Sequence, residues 1–180
     1  IENINTKRLL IHIQNTAATF AYNIKSNMVR VGISLYGMYP DLPEHINYKP
    51  KLKQVMGLKG RITNIHEVKT GEGVSYCHKF IACEPTQVAT IPIGYADGIA
   101  RCLSNKIYGL LNGQLVKQIG NITMDQMMFD ISNIEAKAGD IITLLDDDKL
   151  SLDNWAEILG TINYELTCRL KVRLPRIYIR

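Results

Sequence analysis

Residues 106–122 read KIYGLLNGQLVKQIGNI, two apolar runs parted by Asn112-Gly113. A two-residue type I′ turn needs positive φ at both central positions, and Asn followed by Gly meets that need at low steric cost. The stretch therefore predicts an antiparallel hairpin. Working outward, residues 51–145 carry short runs rich in Val, Ile and Thr, separated by the turn signals KTGEG, ADG, NGQ, AKAGD and DDD. Strands at that spacing predict an antiparallel β barrel or sandwich. Beyond them, Ser151 is placed to cap a helix over SLDNWAEIL, with Asp153 in its positive first turn. KVRLPRIYIR (171–180) reads as a closing strand that Pro175 confines to an edge or a bulge.

Upstream the texture changes. RLLIHI (8–13) reads as a strand, and NTAATFAYNI (15–24) as a helix with Asn15 and Thr16 as capping residues. MVRVGISLYG (28–37) reads as a second strand ending in glycine. That order predicts a parallel α/β unit, followed by the proline-bearing linker YPDLPEHINYKP (39–50). Two domains are expected, 1–50 and 51–180. A single β-α-β unit cannot cover both faces of a parallel sheet, so the first is expected to be incomplete. The absence of an opening Met also reads as a fragment or a processed product.

Of the 180 residues, 46% are hydrophobic and 21% charged, the composition of an ordinary globular protein. The formal charge of +4 is spread along the chain without the basic stripe that tracks nucleic acid. No apolar stretch approaches the roughly 20 residues of a membrane span, and no secretory signal opens the chain. Neither a nucleic-acid nor a membrane partner is expected. Cys77, Cys83, Cys102 and Cys168 form no C-x-x-C pair and read as reduced thiols of a cytoplasmic protein. Cys77 reads as a small packing residue and Asp146–Asp148 as a solvated turn, so no metal site is expected.

Three stretches offer chemistry: GEGVSYCHKF (71–80), IPIGYADG (91–98) and MDQMMFD (124–130). Each also has an ordinary reading, with Tyr95 as a strand-end aromatic and Met124 as a core residue. If the opening residues are the last strands of a (β/α)₈ barrel, their C-terminal loops lie where such barrels often bind phosphate. Asn15 and Thr16 would supply a helix N-terminus and a hydroxyl, and Gly32 and Ile33 backbone amides. Gly32 alone reads equally as a strand-end glycine. Arg30 and His12 sit within apolar strands, where a cation needs a partner.

The chain resembles the C-terminal half of the alanine racemases. The likeness is carried by HIQNTAA, VRVGISLYG, GVSYCHKF, IPIGYADGIAR, MDQMMFDIS, GTINYE and RLPRIY, in the family's order and at its spacing. It implies a mainly β fold, an antiparallel β-barrel-like C-terminal domain behind the remnant of a pyridoxal-phosphate-binding (β/α)₈ barrel. The activity implied is pyridoxal-phosphate-dependent interconversion of L- and D-alanine, supplying D-alanine for cell-wall peptidoglycan. Tyr76 falls on the family's catalytic tyrosine and Met124 on the residue whose backbone N–H binds the substrate carboxylate. Tyr95 and Asp125 fall in the substrate entrance. Thr16, Gly32, Ile33 and Tyr164 fall on the phosphate cradle, and Arg30 on the arginine that meets the pyridine nitrogen. In the family, the tyrosine, GYADG and MDQ come from the partner subunit of a head-to-tail homodimer.

Departures accompany the likeness. Thr16 stands where serine is usual and keeps its hydroxyl, whereas Asn121 stands where an arginine is common. No lysine here matches the family's Schiff-base lysine, which lies in the barrel's first half, so the isolated chain is expected to be inactive. A serine or broad-specificity racemase and a non-catalytic dimerisation domain are the alternatives.

The chemistry suits these roles. Racemisation removes the α-proton from one face of a carbon and returns one to the other, so two bases are needed. A free phenol titrates at about pH 10, so a tyrosine base needs positive charge or hydrogen bonds nearby. Arg30 is a distant source of charge, with His12 bracing it. A guanidinium will not give its proton to pyridine, which leaves the cofactor a restrained electron sink.

Overall fold

The computed structural model describes residues 9–46, 50–146 and 150–179. The chain divides into two compact units, Ile1–Met56 and Gly57–Arg180.

In the first unit, α1 spans Thr16–Ala21, and the side chain of Asn15 caps it by accepting from Ala18 N. Thr16 is the first helical residue rather than the cap. The two expected strands do not form as ladders. Residues 9–15 and 28–31 meet at one parallel bridge, Asn15 with Arg30. The reason is local: the Asn27 carboxamide accepts from Ile11 N and donates to Leu9 O, taking bonds that a neighbouring strand would otherwise make. MVRVGISLYG breaks after Gly32 into a 3₁₀ turn, Ile33–Tyr36, closed by Gly37 at φ 82°.

Among the described residues, the second unit holds nine strands: β1 Leu58–Arg61, β2 Asn64–Val68, β3 Gly73–Val74, β4 Phe80–Ile81, β5 Thr86–Ile91, β6 Tyr108–Leu111, β7 Gln114–Ile119, β8 Met127–Asp130 and β9 Ile141–Leu145. β6 and β7 form the expected hairpin, Leu111 opposite Gln114. Asn112 at φ 50° and Gly113 at φ 80° supply the positive dihedrals of a type I′ turn. Seven strands make one antiparallel sheet in the order β1-β9-β6-β7-β8-β5-β2.

That order requires curvature. β1 and β2 are the opposite edges, yet only Ile62 and Thr63 separate them. Those residues reach about 11 Å, whereas the edges of a flat seven-stranded sheet lie about 29 Å apart. The sheet therefore curls until its edges meet at this corner. Ile62 N donates to Asp140 O beside β9, and Thr63 N to Thr90 O of β5, so the corner bonds to both halves. Ile62, Ile91, Leu111, Phe129, Ile142 and Leu144 are fully buried. Each contributes about 1.5–3 kcal/mol by leaving water.

β3 and β4 form a separate ribbon, Val74 opposite Phe80. Val74 and Ala82 are buried with Val68, Val88, Ile119 and Met128, and Phe80 packs against them. The ribbon is thus pinned to the outside of the sheet, which explains why β5 is buried along nearly its whole length. Its tip carries Tyr76.

Two helices follow: α2, Leu152–Leu159, capped by Ser151 as expected, and α3, Asn163–Arg169. Leu152, Trp155 and Ala156 bury one face of α2, and Leu166 buries α3. The Asn163 amide donates to the Asp153 carboxylate at 2.7 Å, tying the two. Residues 171–179 do not form the expected closing strand. Lys171 N donates to Asp97 O, but Val172, Ile177, Tyr178 and Ile179 are exposed, and Pro175 supplies no amide hydrogen for a ladder. No described helix is long and apolar enough to cross a membrane.

Candidate active site

Tyr76 stands on a short 3₁₀ turn, Tyr76–His78, at the tip of the β3–β4 ribbon. The turn is strained: Ser75 lies at φ 65°, ψ −176°, Cys77 at φ 59° and His78 at φ 44°. Positive φ is uncommon outside glycine, and the Ser75 region is nearly glycine-only. The conformation thrusts the tyrosine outward, leaving it 74% exposed.

Tyr95 begins another 3₁₀ turn, Tyr95–Asp97, at the end of the run after β5. This turn is zipped to the segment before β8. Tyr95 N donates to Thr123 O and Ala96 N to Met124 O, both at 2.9 Å. Glycine is required at position 94, because a Cβ there would fall 2.3 Å from Thr123 O and 2.4 Å from Met124 O. The Thr123 hydroxyl and amide both donate to Gln126 O, closing a turn that presents Met124 and Asp125 at its tip. Met124 is half-exposed, not a core residue, and the buried residues of MDQMMFD are Met127, Met128 and Phe129.

These pieces meet. Tyr76, Tyr95, Met124 and Asp125 line one cavity of about 680 Å³, together with Arg101 and Asn121. Its charges are ordered by a neighbour: Arg173 Nε meets Asp97 Oδ1 at 2.9 Å, and Arg173 Nη2 meets Asp125 Oδ1 at 2.5 Å. The Asp125 hydrogen bond, with help from Asp97, holds the guanidinium above its ordinary pKa. Asp97 is buried, and its second oxygen accepts from Gly94 N.

The first unit gathers another group. Thr16 is buried, and its hydroxyl oxygen accepts from Gly32 N at 2.9 Å, leaving its own proton for another acceptor. A Cβ at Gly32 would meet nothing within 4 Å, so no contact within the chain demands glycine there. Ile33 follows, buried at the head of its 3₁₀ turn. Arg30 is exposed, and its Nε donates to His12 at 3.0 Å; the bracing comes from the His12 backbone carbonyl rather than the imidazole. Tyr164 lies on α3 of the second unit, and its carbonyl accepts from Thr167.

Asp97, Arg101, Arg173 and the structural part played by Asn121 were not found by sequence reasoning. RLPRIY marked the segment holding Arg173 without naming its partners, and Asn121 stood out only as a departure. Asp147 and Asp148 of the acidic triplet lie outside the described residues. Among the described residues, no three His, Cys, Asp or Glu side chains gather as a metal site would need.

Comparison with known proteins gives a consistent result. The family model for the alanine racemase C-terminal domain matches residues 55–178, and that for the alanine racemase N-terminal domain matches residues 1–40. An alanine racemase of Nostoc sp. is 44% identical over 182 residues, covering 98% of this chain and 47% of the relative. Among solved structures, the alanine racemase of Clostridium difficile 630 has TM-score 0.86 at 37% identity, covering 94% of this chain and 45% of that one. That of Bacillus anthracis with bound L-Ala-P has TM-score 0.86 at 36% identity, covering 95% of this chain and 45% of that one. The chain therefore spans about half the length of the relatives it matches.

Proposed function

The chain belongs to the alanine racemase family, and we propose that it is part of an enzyme that interconverts L- and D-alanine by two-base racemisation. The observation that carries this reading is the shared cavity: an outward tyrosine, Tyr76, facing the same space as Tyr95, Met124 and Asp125. Residues 1–50 are assigned to the end of a cofactor-binding barrel and residues 51–180 to the β-domain. The family-model matches at 1–40 and 55–178 support that division.

Pyridoxal phosphate, when bound, supplies an electron sink that acidifies the substrate α-proton. The first unit's groups suit its phosphate: a threonine hydroxyl with a proton to give, and open space beside Gly32, whose own N–H is taken by Thr16. Thr16, Gly32 and Ile33 would hold that phosphate, and Arg30 would donate to the ring nitrogen; Tyr164, on the second unit, is assigned to phosphate binding by the family likeness alone. A guanidinium keeps its proton there, because its conjugate base is far stronger than pyridine.

Tyr76 takes or returns the α-proton on one face. The base for the other face, a lysine, is assigned to a part of the protein outside these 180 residues. Met124 N–H binds the substrate carboxylate, while Tyr95 and Asp125 shape the approach. Tyr76, Tyr95 and Met124 would serve a cofactor held by the other subunit of a head-to-tail homodimer. The reading places the enzyme in the cytoplasm, where four free cysteines are at home, and its D-alanine in the supply of peptidoglycan precursors.

The test is chiral analysis of L-alanine after incubation with the full-length protein and pyridoxal phosphate, with L-serine in parallel. D-alanine forming faster than D-serine is expected. Failure to form D-alanine would overturn the reading, and faster formation of D-serine would move it to a serine racemase.

A further inference from the structure

We propose that Asn121 is a positioning residue that fixes the Tyr76 phenol through the main chain; the inference rests on the reading of Tyr76 as a base. Within this chain Tyr76 is too exposed for side-chain packing to hold it. Its direction is therefore set by the backbone of residues 75–78, three of which lie at positive φ. Such a conformation persists only where its surroundings over-determine it.

Gly120 and Asn121 provide those surroundings. The Asn121 Nδ2 donates to Tyr76 O at 2.7 Å, and Ser75 Oγ donates back to Asn121 O at 2.8 Å. The two bonds grip the chain on both sides of the Ser75–Tyr76 peptide. A Cβ at Gly120 would fall 2.7 Å from Val74 O, so the backbones lie too close for a larger residue. Asn121 is itself buried, and its neighbours are tied down from elsewhere: Gly120 N donates to Asn105 Oδ1 and Ile122 N to Ser104 Oγ. The anchor is thus the fixed side of the contact and the tyrosine turn the constrained side.

The grip depends on a donor, not on size. An aspartate at 121 has the same shape but sets an acceptor against the Tyr76 carbonyl. In the full-length enzyme loaded with pyridoxal phosphate, Asn121→Asp and Asn121→Ala should each lower kcat by about 10- to 100-fold, the scale of a small misplacement of a reacting group. KM for alanine should stay within about threefold, since neither change removes a substrate contact. Asn121→Ala added to Tyr76→Phe should cost nothing further, because a residue acting through Tyr76 has nothing left to position.

Wild-type kcat in Asn121→Ala, with Tyr76→Phe inactive, overturns the inference alone. So does a double variant slower than Tyr76→Phe by the full Asn121→Ala factor. Wild-type turnover in Tyr76→Phe overturns the base assignment and the inference together. Should the Asn121 variants fail to fold, Ser75→Ala removes only the returning bond. It should lower kcat by about three- to tenfold, and an unchanged kcat there overturns the inference.

Discussion

At Asp97 one buried carboxylate binds two segments: one oxygen accepts from Gly94 N, and the other meets Arg173, which also reaches Asp125. The residue thereby ties the Tyr95 turn and the Met124 turn to the segment after α3. Asp97→Ala should strand Gly94 N and half of Arg173, costing about 1–3 kcal/mol in urea unfolding. Activity of the full-length enzyme should fall as well, because both turns line the cavity. Side-chain identities such as Tyr76, Tyr95 and Met124 were legible, since each falls in a short motif with a chemical meaning. The bonds that aim them were not. Ser75, Cys77 and His78 carry positive φ without being the residue types that advertise it, and the partners of Asn121 and Asp97 include residues distant in sequence.

Elements were legible where a local signal fixed them. Asn112-Gly113 sets the hairpin of β6 and β7, and Ser151 sets the start of α2. α3 escaped because Ile162 stands at its cap and offers no side-chain hydrogen bond. The expected strands at 8–13, 28–37 and 171–180 had apolar composition but form no ladder among the described residues, and composition alone cannot supply a neighbour. α3 also makes a pH prediction. The Thr161 hydroxyl first, and Arg169 second, hold the Glu165 carboxyl below its ordinary pKa. A depressed pKa stabilises the fold above the unfolded carboxyl value of about 4.3, and the benefit is lost as pH falls through the lower folded value. Glu165→Gln should therefore be less stable than wild type at pH 7, with the difference vanishing once pH has fallen below the lowered folded value, in denaturant titrations. The group is exposed, so the difference should be small and should shrink in high salt.

Over the whole molecule, the curled sheet is a frame that carries its chemistry on outlying loops. The ribbon tip, the Tyr95 turn and the Met124 turn come from three parts of the second unit and line one cavity, whereas the groups proposed to hold the cofactor, apart from Tyr164, lie in the first unit. That the curled sheet was foreseeable only as a barrel or sandwich follows from physics: strand spacing records turns, whereas the curl depends on Ile62 and Thr63 bonding to both halves of the sheet. The central claim is that Tyr76 serves one face of the α-carbon and a different base the other. The most direct measurement is solvent exchange in D₂O with the full-length Tyr76→Phe enzyme, following deuterium at Cα of L- and D-alanine separately by NMR and chiral analysis. Racemisation should fall by about 10²- to 10⁴-fold, while one enantiomer alone still takes up deuterium with its configuration retained. Racemisation at the wild-type rate, with both enantiomers labelled alike, would contradict the account.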